Sequence, residues 1–596
     1  MSEILKDLNP QQIAAVRATE GPVLIVAGPG SGKTRVLTHR AIFLIQEKAV
    51  NPENLLLLTF TNKAANEMKE RVHNQATQSP AWIGTFHATC AKILHLDGHH
   101  IGIPRSFVIY DDGDSKTAIK HILKKGNFDK DLKPGAVLWT IAGAKHELVS
   151  EQEYPQHAYG GFQEVVAEIY PRYQKLLKKN KALDFGDLIF KTVQLFEEAP
   201  QVLEKYQNKF HYILVDEYQD TNHAQYVLTQ LLAKKHKNIC VVGDLDQSIY
   251  SWRGANFRNL LQFERDYPEA LVFRLEQNYR STPTIIKAAK NVISQNTNHL
   301  SLNLFTENEE RGLVNVYEAL SEGDEARYVI RKITTTNYEL PTTNYSSFAV
   351  LYRTNAQSRA LEEAFLHSSI PYKIVGGTKF YDRMEIKDIL AHLRLVFNPA
   401  DTVSLDRLEK LGKTRARTFN DKILPGLSPQ APTIYLLDTI FEQTDYLRRL
   451  KKKGREEDLA RVENLKELRS VATRFDRLTS FLENVALVQQ EHFPNQPAGE
   501  EKDNVVTLMT LHAAKGLEFP TVFMVGMEEG LLPHSRSLYE QSELEEERRL
   551  CYVGMTRAMR HLHLTHASSR LYFGSRQTNP VSRFIEDIPE ELMERV

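Results

Sequence analysis

Residues 22–34 read Pro22-Val23-Leu24-Ile25-Val26-Ala27-Gly28-Pro29-Gly30-Ser31-Gly32-Lys33-Thr34, and Arg35-Val36-Leu37-Thr38 follow. The apolar, β-branched opening is long enough for a buried strand, and residues 35–38 read as the start of a helix. A strand, a glycine-rich turn, Gly-Lys-Thr and a helix together make a cradle for phosphates. Glycines let backbone N–H groups approach the oxygens, and the helix N-terminus adds positive potential. The pattern predicts ATP phosphate contacts along Ala27, Gly28, Pro29, Gly30, Ser31, Gly32 and Lys33. Lys33 would reach the β- and γ-phosphates, and the Thr34 hydroxyl would ligate Mg²⁺. Ala27 stands where the general pattern has glycine, which a negative φ tolerates.

A second strand-like run, His211-Tyr212-Ile213-Leu214-Val215, ends in Asp216-Glu217-Tyr218-Gln219-Asp220. Carboxylates at the C-terminal end of a parallel strand sit where ligands gather. Asp216 is expected to hold Mg²⁺, directly or through water, and Glu217 to polarise an attacking water. Further along, 314–317, 348–352, 505–509 and 521–525 read as strands separated by helical runs. That alternation predicts a second parallel sheet.

At 596 residues the chain exceeds what one core serves, so several domains are expected. With 42% hydrophobic and 25% charged residues it has the profile of a soluble globular protein. No run of 18 apolar residues occurs, and Met1-Ser2-Glu3-Ile4-Leu5-Lys6-Asp7 is not a secretory signal. Cys90, Cys240 and Cys551 are scattered without a CxxC pair, which excludes a disulfide scaffold or a zinc site and fits a reducing cytoplasm. Lys+Arg number 75 against 76 Asp+Glu, so any nucleic-acid surface is a local patch on a neutral molecule. His95, Asp97, His99 and His100 cluster, but no further ligands are arranged around them.

Two longer stretches carry a resemblance. They are Val241-Val242-Gly243-Asp244-Leu245-Asp246-Gln247-Ser248-Ile249-Tyr250-Ser251-Trp252-Arg253-Gly254-Ala255 and Leu275-Glu276-Gln277-Asn278-Tyr279-Arg280-Ser281. Here the sequence resembles the UvrD/PcrA/Rep group of superfamily 1 helicases. The family's other motifs occur in its order, at 8–12, 59–65, 84–88, 184–188, 351–359, 510–519 and 552–558, so the likeness covers nearly the whole chain.

The resemblance implies an α/β fold of two RecA-like P-loop NTPase lobes with parallel sheets, each interrupted by an inserted helical subdomain. Residues 1–88 and 181–278 would form the first lobe and 89–180 its insertion. Residues 279–388 and 505–596 would form the second lobe, with 389–504 as a shortened insertion. ATP would bind in the cleft between the lobes. Gln12 would read the adenine edge through its amide, and Arg35 and Tyr279 would sandwich the ring. Glu518 would contact the ribose, Gln247 would sense the γ-phosphate, and Arg280 and Arg557 would be arginine fingers. Gln247 and His512 would couple the nucleotide to the track.

That track would be single-stranded DNA, including single-strand/duplex junctions. Phe60, Phe86, Tyr250 and Trp252 would stack on bases, at about 1–3 kcal/mol per base, with Thr61, Asn62, His87 and Arg253 nearby. Thr354, Asn355 and Arg359 would grip the phosphodiester backbone. The implied activity is an ATP-dependent, 3′-to-5′ DNA helicase of repair or replication. It would be cytoplasmic, off the membrane, monomeric or weakly self-associating, and open to accessory proteins. The shortened second insertion keeps a second expectation open: a translocase that strips proteins from single strands with little unwinding. Leu411-Gly412-Lys413-Thr414-Arg415-Ala416-Arg417 echoes the family's duplex-contacting element. The basic runs 175–181 and 448–455 are phosphate grips or solvated surfaces.

Overall fold

Leu24 and Val26 point into one apolar core while Val23, Ile25 and Ala27 point into another. Leu56 and Leu58 divide from Leu55 and Leu57 in the same way. A strand buried on both faces needs apolar side chains at every position, which is why these segments read as unbroken hydrophobic runs. The computed structural model describes residues 3–75, 80–126, 128–129, 132–299, 302–339, 344–453, 456–490, 504–572 and 575–596. They form two compact units, Met1–Tyr279 with His299–Thr306, and Arg280–Asn298 with Glu307–Val596.

The first unit carries β1 (Val23–Ala27), β2 (Leu55–Thr59), β3 (Trp82–Thr85), β4 (Val108–Tyr110), β5 (Ala182–Asp184), β6 (Tyr212–Val215), β7 (Ile239–Gly243) and β8 (Leu271–Leu275). Six of them make a wholly parallel sheet in the order β3-β2-β6-β7-β1-β8, with Leu24 opposite Val241 and Leu57 opposite Leu214. Because β6, β7 and β1 are neighbours, the residues after their C-terminal ends are brought together: Asp216, Asp244 and the loop 28–32. β4 and β5 pair apart from this sheet. Between them lies a helical body with its own core, from Ala118, Ile119 and Ile122 to Tyr170, Tyr173 and Leu177. The helix Phe86–Asp97 instead packs Phe86, Cys90, Ile93 and Leu94 into the core of the sheet.

The second unit carries β9 (Val314–Ala319), β10 (Phe348–Tyr352), β11 (Tyr372–Val375), β12 (Val506–Thr510), β13 (Phe519–Met524), β14 (Ala558–Ala567), β15 (Arg570–Tyr572), β16 (Ser575–Gln577) and β17 (Met593–Arg595). Seven strands form a second parallel sheet, β11-β12-β10-β13-β14-β9-β17, and β15 and β16 make an antiparallel ribbon. The helices between β11 and β12 have a separate core running from Phe380, Tyr381 and Ile386 to Leu478, Phe481 and Val485. Within them Gly412 separates the helices Thr402–Leu411 and Lys413–Thr418. Gly454 and Arg455 of the basic run lie outside the described residues. The fold is therefore the expected α/β arrangement of two parallel-sheet lobes, each with a helical insertion. Among the described residues no helix is long and apolar enough to cross a membrane.

Candidate nucleotide and nucleic-acid sites

β1 ends at Ala27, and the helix Lys33–Gln46 begins after a loop in which Gly30 (φ 63°) and Gly32 (φ 83°) are left-handed. Only glycine adopts that backbone without a steric cost. Ala27, still in the strand, incurs none. The loop's carbonyls are taken by protein donors. Gly28 O accepts from Ser31 Oγ (2.7 Å), Pro29 O from Asn278 Nδ2 (2.7 Å), Gly30 O from the Tyr279 N–H (3.0 Å) and Ser31 O from Gln12 Nε2 (2.9 Å). In a trans peptide N–H and C=O point oppositely, so carbonyls held against the protein turn the N–H groups toward the ligand side. Lys33 Nζ rests on Ala27 O (3.2 Å) and Gly28 O (3.3 Å), with the Asp244 carboxylate 3.6 Å away.

Thr34 Oγ1 donates to Asp216 Oδ2 at 2.9 Å. Burial, with the Glu217 charge beside it, pushes the Asp216 carboxyl up to about 6. A hydroxyl and a buried carboxylate short of counter-charge are hard oxygen donors that suit Mg²⁺, which takes few protein ligands and completes its shell with water and phosphate. No cluster of three or more His, Cys, Asp or Glu able to hold a metal occurs among the described residues. Asp97, in the histidine-rich stretch, is spent on Lys205 (2.7 Å) and Tyr206 (2.7 Å).

Glu217 follows directly, in the left-handed region at φ 51° and ψ 44°. For glutamate that backbone costs roughly 1–2 kcal/mol, and such strain concentrates at working sites. Its carboxylate accepts from Gln219 Nε2 at 2.5 Å. Gln247 donates from Nε2 to Asp244 Oδ2 at 2.5 Å. Asp244 and Gln219, given no role from the sequence, thus touch three of the predicted site residues. An acidic residue at the C-terminal end of β7 was the available signal for Asp244.

The residues expected around adenine gather on the same unit. Gln12 uses one hydrogen on Ser31 O and one lone pair on the Asn9 N–H (3.0 Å), leaving its amide one donor and one acceptor in reserve. Tyr279 is half exposed, and its hydroxyl accepts from Asn9 Nδ2 (2.8 Å) and donates to Gln277 Oε1 (3.0 Å). Arg35 is also half exposed, 4.0 Å from Asp7. In the second unit Arg280 Nε donates to Glu518 Oε2 (2.6 Å) and Nη1 to Thr556 O (3.0 Å). The residue expected at the ribose is thus an ion-pair partner of an expected arginine finger. Arg557 is buried and donates to Val553 O (2.9 Å), Leu517 O (3.2 Å) and Thr556 Oγ1 (3.1 Å).

Phe60 lies on Tyr250, rings 5.7 Å apart and 14° from parallel, and Trp252 meets Tyr250 edge-on at 6.3 Å. Trp252 is 43% exposed, and Thr61 and Asn62 are exposed at the head of the helix Asn62–Gln75. Arg253 lies in the short helical turn Ser251–Arg253. His87 meets Phe185 edge-on at 5.9 Å, and Phe185 is 52% exposed. Burial, reinforced by the nearby His146, lowers the His87 imidazole to about 4, so it is neutral near pH 7. Phe185 was given no separate role from the sequence, because its exposure depends on a buried anchor. Lys145 Nζ binds Asp184 (2.7 Å) and Asp187 (2.8 Å) on either side of it, while Tyr173 and Gln174 complete those carboxylates.

Two expected DNA contacts are corrected. Phe86 is 1% exposed and belongs to the sheet core, so it offers no ring face to a base. Arg359 is equally buried, its guanidinium committed to Glu363 (2.6 Å) and Glu467 (2.5 Å). It ties the helix Ser358–His367 to the helix Glu456–Ala472 and has no face toward a phosphate. Thr354 and Asn355 are partly exposed, Thr354 forming a capping box with Gln357.

Comparison with known proteins agrees with the two-lobed fold. Residues 8–268 match the UvrD/REP helicase N-terminal domain, and residues 273–450 and 436–569 match the UvrD-like helicase C-terminal domain. The ATP-dependent DNA helicase PcrA of Bacillus subtilis is 47% identical over 650 aligned positions, covering 100% of this chain and 87% of its own length. The proteins of that name from Staphylococcus aureus and Staphylococcus epidermidis are each 44% identical, covering 100% of this chain and 88% of their own. The motifs, the two parallel sheets and these full-length likenesses agree, and the chain belongs to the UvrD/REP helicase family.

Proposed function

We propose that this chain is an ATP-dependent DNA helicase that moves 3′ to 5′ along single-stranded DNA and opens duplex ahead of it. The observation that carries the reading is a single loop, Asp244–Trp252, with Gln247 hydrogen-bonded beside Lys33 and Asp244 at one end and Tyr250 and Trp252 in the aromatic shelf at the other. One short segment thereby serves both a phosphate cradle and a set of stacking faces.

In this reading Lys33 exchanges its two carbonyl partners for phosphate oxygens, a trade of neutral acceptors for charged ones that binding favours. Thr34 and Asp216 would hold Mg²⁺, which supplies neutralising charge to the phosphates. Glu217 orients and deprotonates the attacking water. Arg280 and Arg557 are assigned the charge that develops on the transferring phosphoryl group. Support for Arg557 is that the acceptors orienting its guanidinium include the neutral oxygens of Val553, Leu517 and Thr556, whereas carboxylates neutralise Arg359. Gln12, Arg35 and Tyr279 are assigned the base, and Glu518 the ribose through its contact with Arg280. On the track, Phe60, Tyr250, Trp252 and Phe185 stack on bases without regard to sequence, beside Thr61, Asn62, His87 and Arg253, while Thr354 and Asn355 meet the backbone. The lobes are assigned as 1–88 with 181–278 and 279–388 with 505–596, and the insertions as 89–180 and 389–504, with two adjustments: the helix Phe86–Asp97 goes with the first lobe, whose core it joins, and Tyr279 with the first unit.

A shortened second insertion has two supports. The alignment with the Bacillus subtilis relative runs to 650 positions against 596 residues here, so that relative carries internal residues this chain lacks. The C-terminal family match also breaks into two pieces that meet at 436–450, inside the second insertion. Repair or replication is the setting this reading favours.

The deciding experiment compares duplexes bearing a 3′ or a 5′ single-stranded tail, with and without ATP and Mg²⁺. Unwinding of the 3′-tailed duplex alone, and only with ATP, is the expected result. Preference for the 5′ tail would reverse the polarity, and displacement of bound protein without strand separation would replace unwinding by translocation.

A further inference from the structure

Gln219 is fully buried two residues beyond the strained Glu217. Its side-chain oxygen accepts the Asp244 N–H at 3.0 Å, and its amide nitrogen donates to Glu217 Oε2 at 2.5 Å. The orientation of this amide is fixed, because a backbone N–H can only donate and so faces the oxygen. A Cβ at residue 243 would lie 2.8 Å from Gln219 Oε1, so Gly243 at the end of β7 is what makes room for the side chain. The Gln219 main-chain carbonyl accepts from Ser248 Oγ at 3.3 Å. One residue is thus bonded to the Glu217 carboxylate and, twice, to the loop that carries Gln247, Tyr250 and Trp252. The turn is fastened once more where Thr221 O accepts the Asn256 N–H (3.0 Å) and Asn259 Nδ2 (2.9 Å).

We infer that Gln219 is a positioning residue that aims the Glu217 carboxylate and passes the state of the loop Asp244–Trp252 to it, so that single-stranded DNA on the aromatic shelf sets the rate of ATP hydrolysis through this side chain. The inference rests on the roles proposed above for Glu217 and the shelf. A shift of the loop moves the Asp244 N–H and Ser248, and the amide moves with them. Displacing a base by about 1 Å costs on the order of 10²-fold in rate. A side chain that is merely packed would change stability without discriminating between DNA-bound and DNA-free turnover.

Steady-state ATPase of the full chain, with and without oligothymidylate, tests this. Gln219→Met keeps the length and volume and removes both side-chain hydrogen bonds. Its DNA-stimulated kcat should fall about 10–100-fold with KM for ATP little changed, and its ratio of stimulated to basal turnover should collapse. Gln219→Glu keeps an acceptor for the Asp244 N–H but no longer donates to Glu217. It should lose kcat and, with the link to Glu217 broken, the ratio as well. The isosteric variant carries the test if the methionine variant does not fold. A wild-type ratio in Gln219→Met, an effect on KM alone, or an unchanged kcat in Gln219→Glu overturns the inference. If the wild-type protein itself ignores oligothymidylate, the helicase reading falls, and this inference falls with it.

Discussion

Thr34 and Asp216, 182 residues apart in the chain, share a 2.9 Å hydrogen bond at the point where the helix after β1 faces the end of β6. The bond brings together the two side chains assigned to Mg²⁺, around a carboxyl that burial and Glu217 hold at about 6. Asp216→Asn should keep ATP binding and raise the Mg²⁺ concentration needed for half-maximal ATPase. A titration of activity against Mg²⁺ that superimposes on the wild type would remove Asp216 from the metal.

Lys33 and Glu217 should fail in different ways. Lys33→Ala removes the cation beside the loop carbonyls and should lower turnover about 10²–10³-fold together with nucleotide affinity. Glu217→Gln leaves the backbone and shape in place, so a fluorescent ATP analogue should bind normally while hydrolysis falls about 10²–10⁴-fold. Normal hydrolysis by Glu217→Gln would move the role of base elsewhere.

Trp252 and Phe86 separate shelf from core. Trp252→Ala should weaken single-stranded DNA binding by about 1–3 kcal/mol and leave DNA-free ATPase close to wild type. Phe86→Ala should instead cost about 3–5 kcal/mol of stability, read by denaturant unfolding, with no selective loss of DNA affinity. Interchanged results would reverse the correction made for Phe86.

Arg359 should behave as a structural ion pair. Arg359→Ala leaves Glu363 and Glu467 without their shared cation and should destabilise the second unit by about 3–5 kcal/mol. The salt dependence of DNA affinity should be unchanged, whereas loss of a phosphate contact would reduce its slope by about one.

These two corrections mark where reading residues in order runs out. The run 22–26 was legible because burial on both sheet faces leaves no polar position, and Lys33, Thr34 and Asp216 because their chemistry lies within short segments. Phe86 is an aromatic after a strand end, as Phe60 is, and nothing within five residues tells which ring turns inward. Of the two carboxylates that claim Arg359, Glu467 arrives 108 residues later, in the insertion. Gln219 looks like part of an acidic turn until Asp244, 25 residues on, gives its amide a direction. Long-range partners decided each case, and local pattern does not contain them.

Two buried histidines make the second unit sensitive to acid. Burial lowers His392 to about 4 and His563 to about 3, both far below the ordinary imidazole value of 6.5. Below pH 6.5 the unfolded chain takes up protons that the folded chain refuses. Stability is therefore full above pH 6.5 and drains as pH falls toward about 4 and about 3. The loss is up to about 1.4 kcal/mol per pH unit for each histidine. The urea midpoint of the second unit should drop between about pH 7 and about pH 5, and His392→Gln should make that drop shallower. An identical slope in the variant would assign the acid sensitivity to other groups.

The left-handed backbone at Glu217 gives a rule for reading kindred sequences. Glycine or asparagine would sit there more comfortably, so drift unopposed by chemistry should run toward them. A homologue with either residue at this place would keep its architecture, and its grip on ATP, while losing the ability to spend it. Such a protein is better sought among clamps and scaffolds than among engines, and the identity of the one residue at this place would sort them.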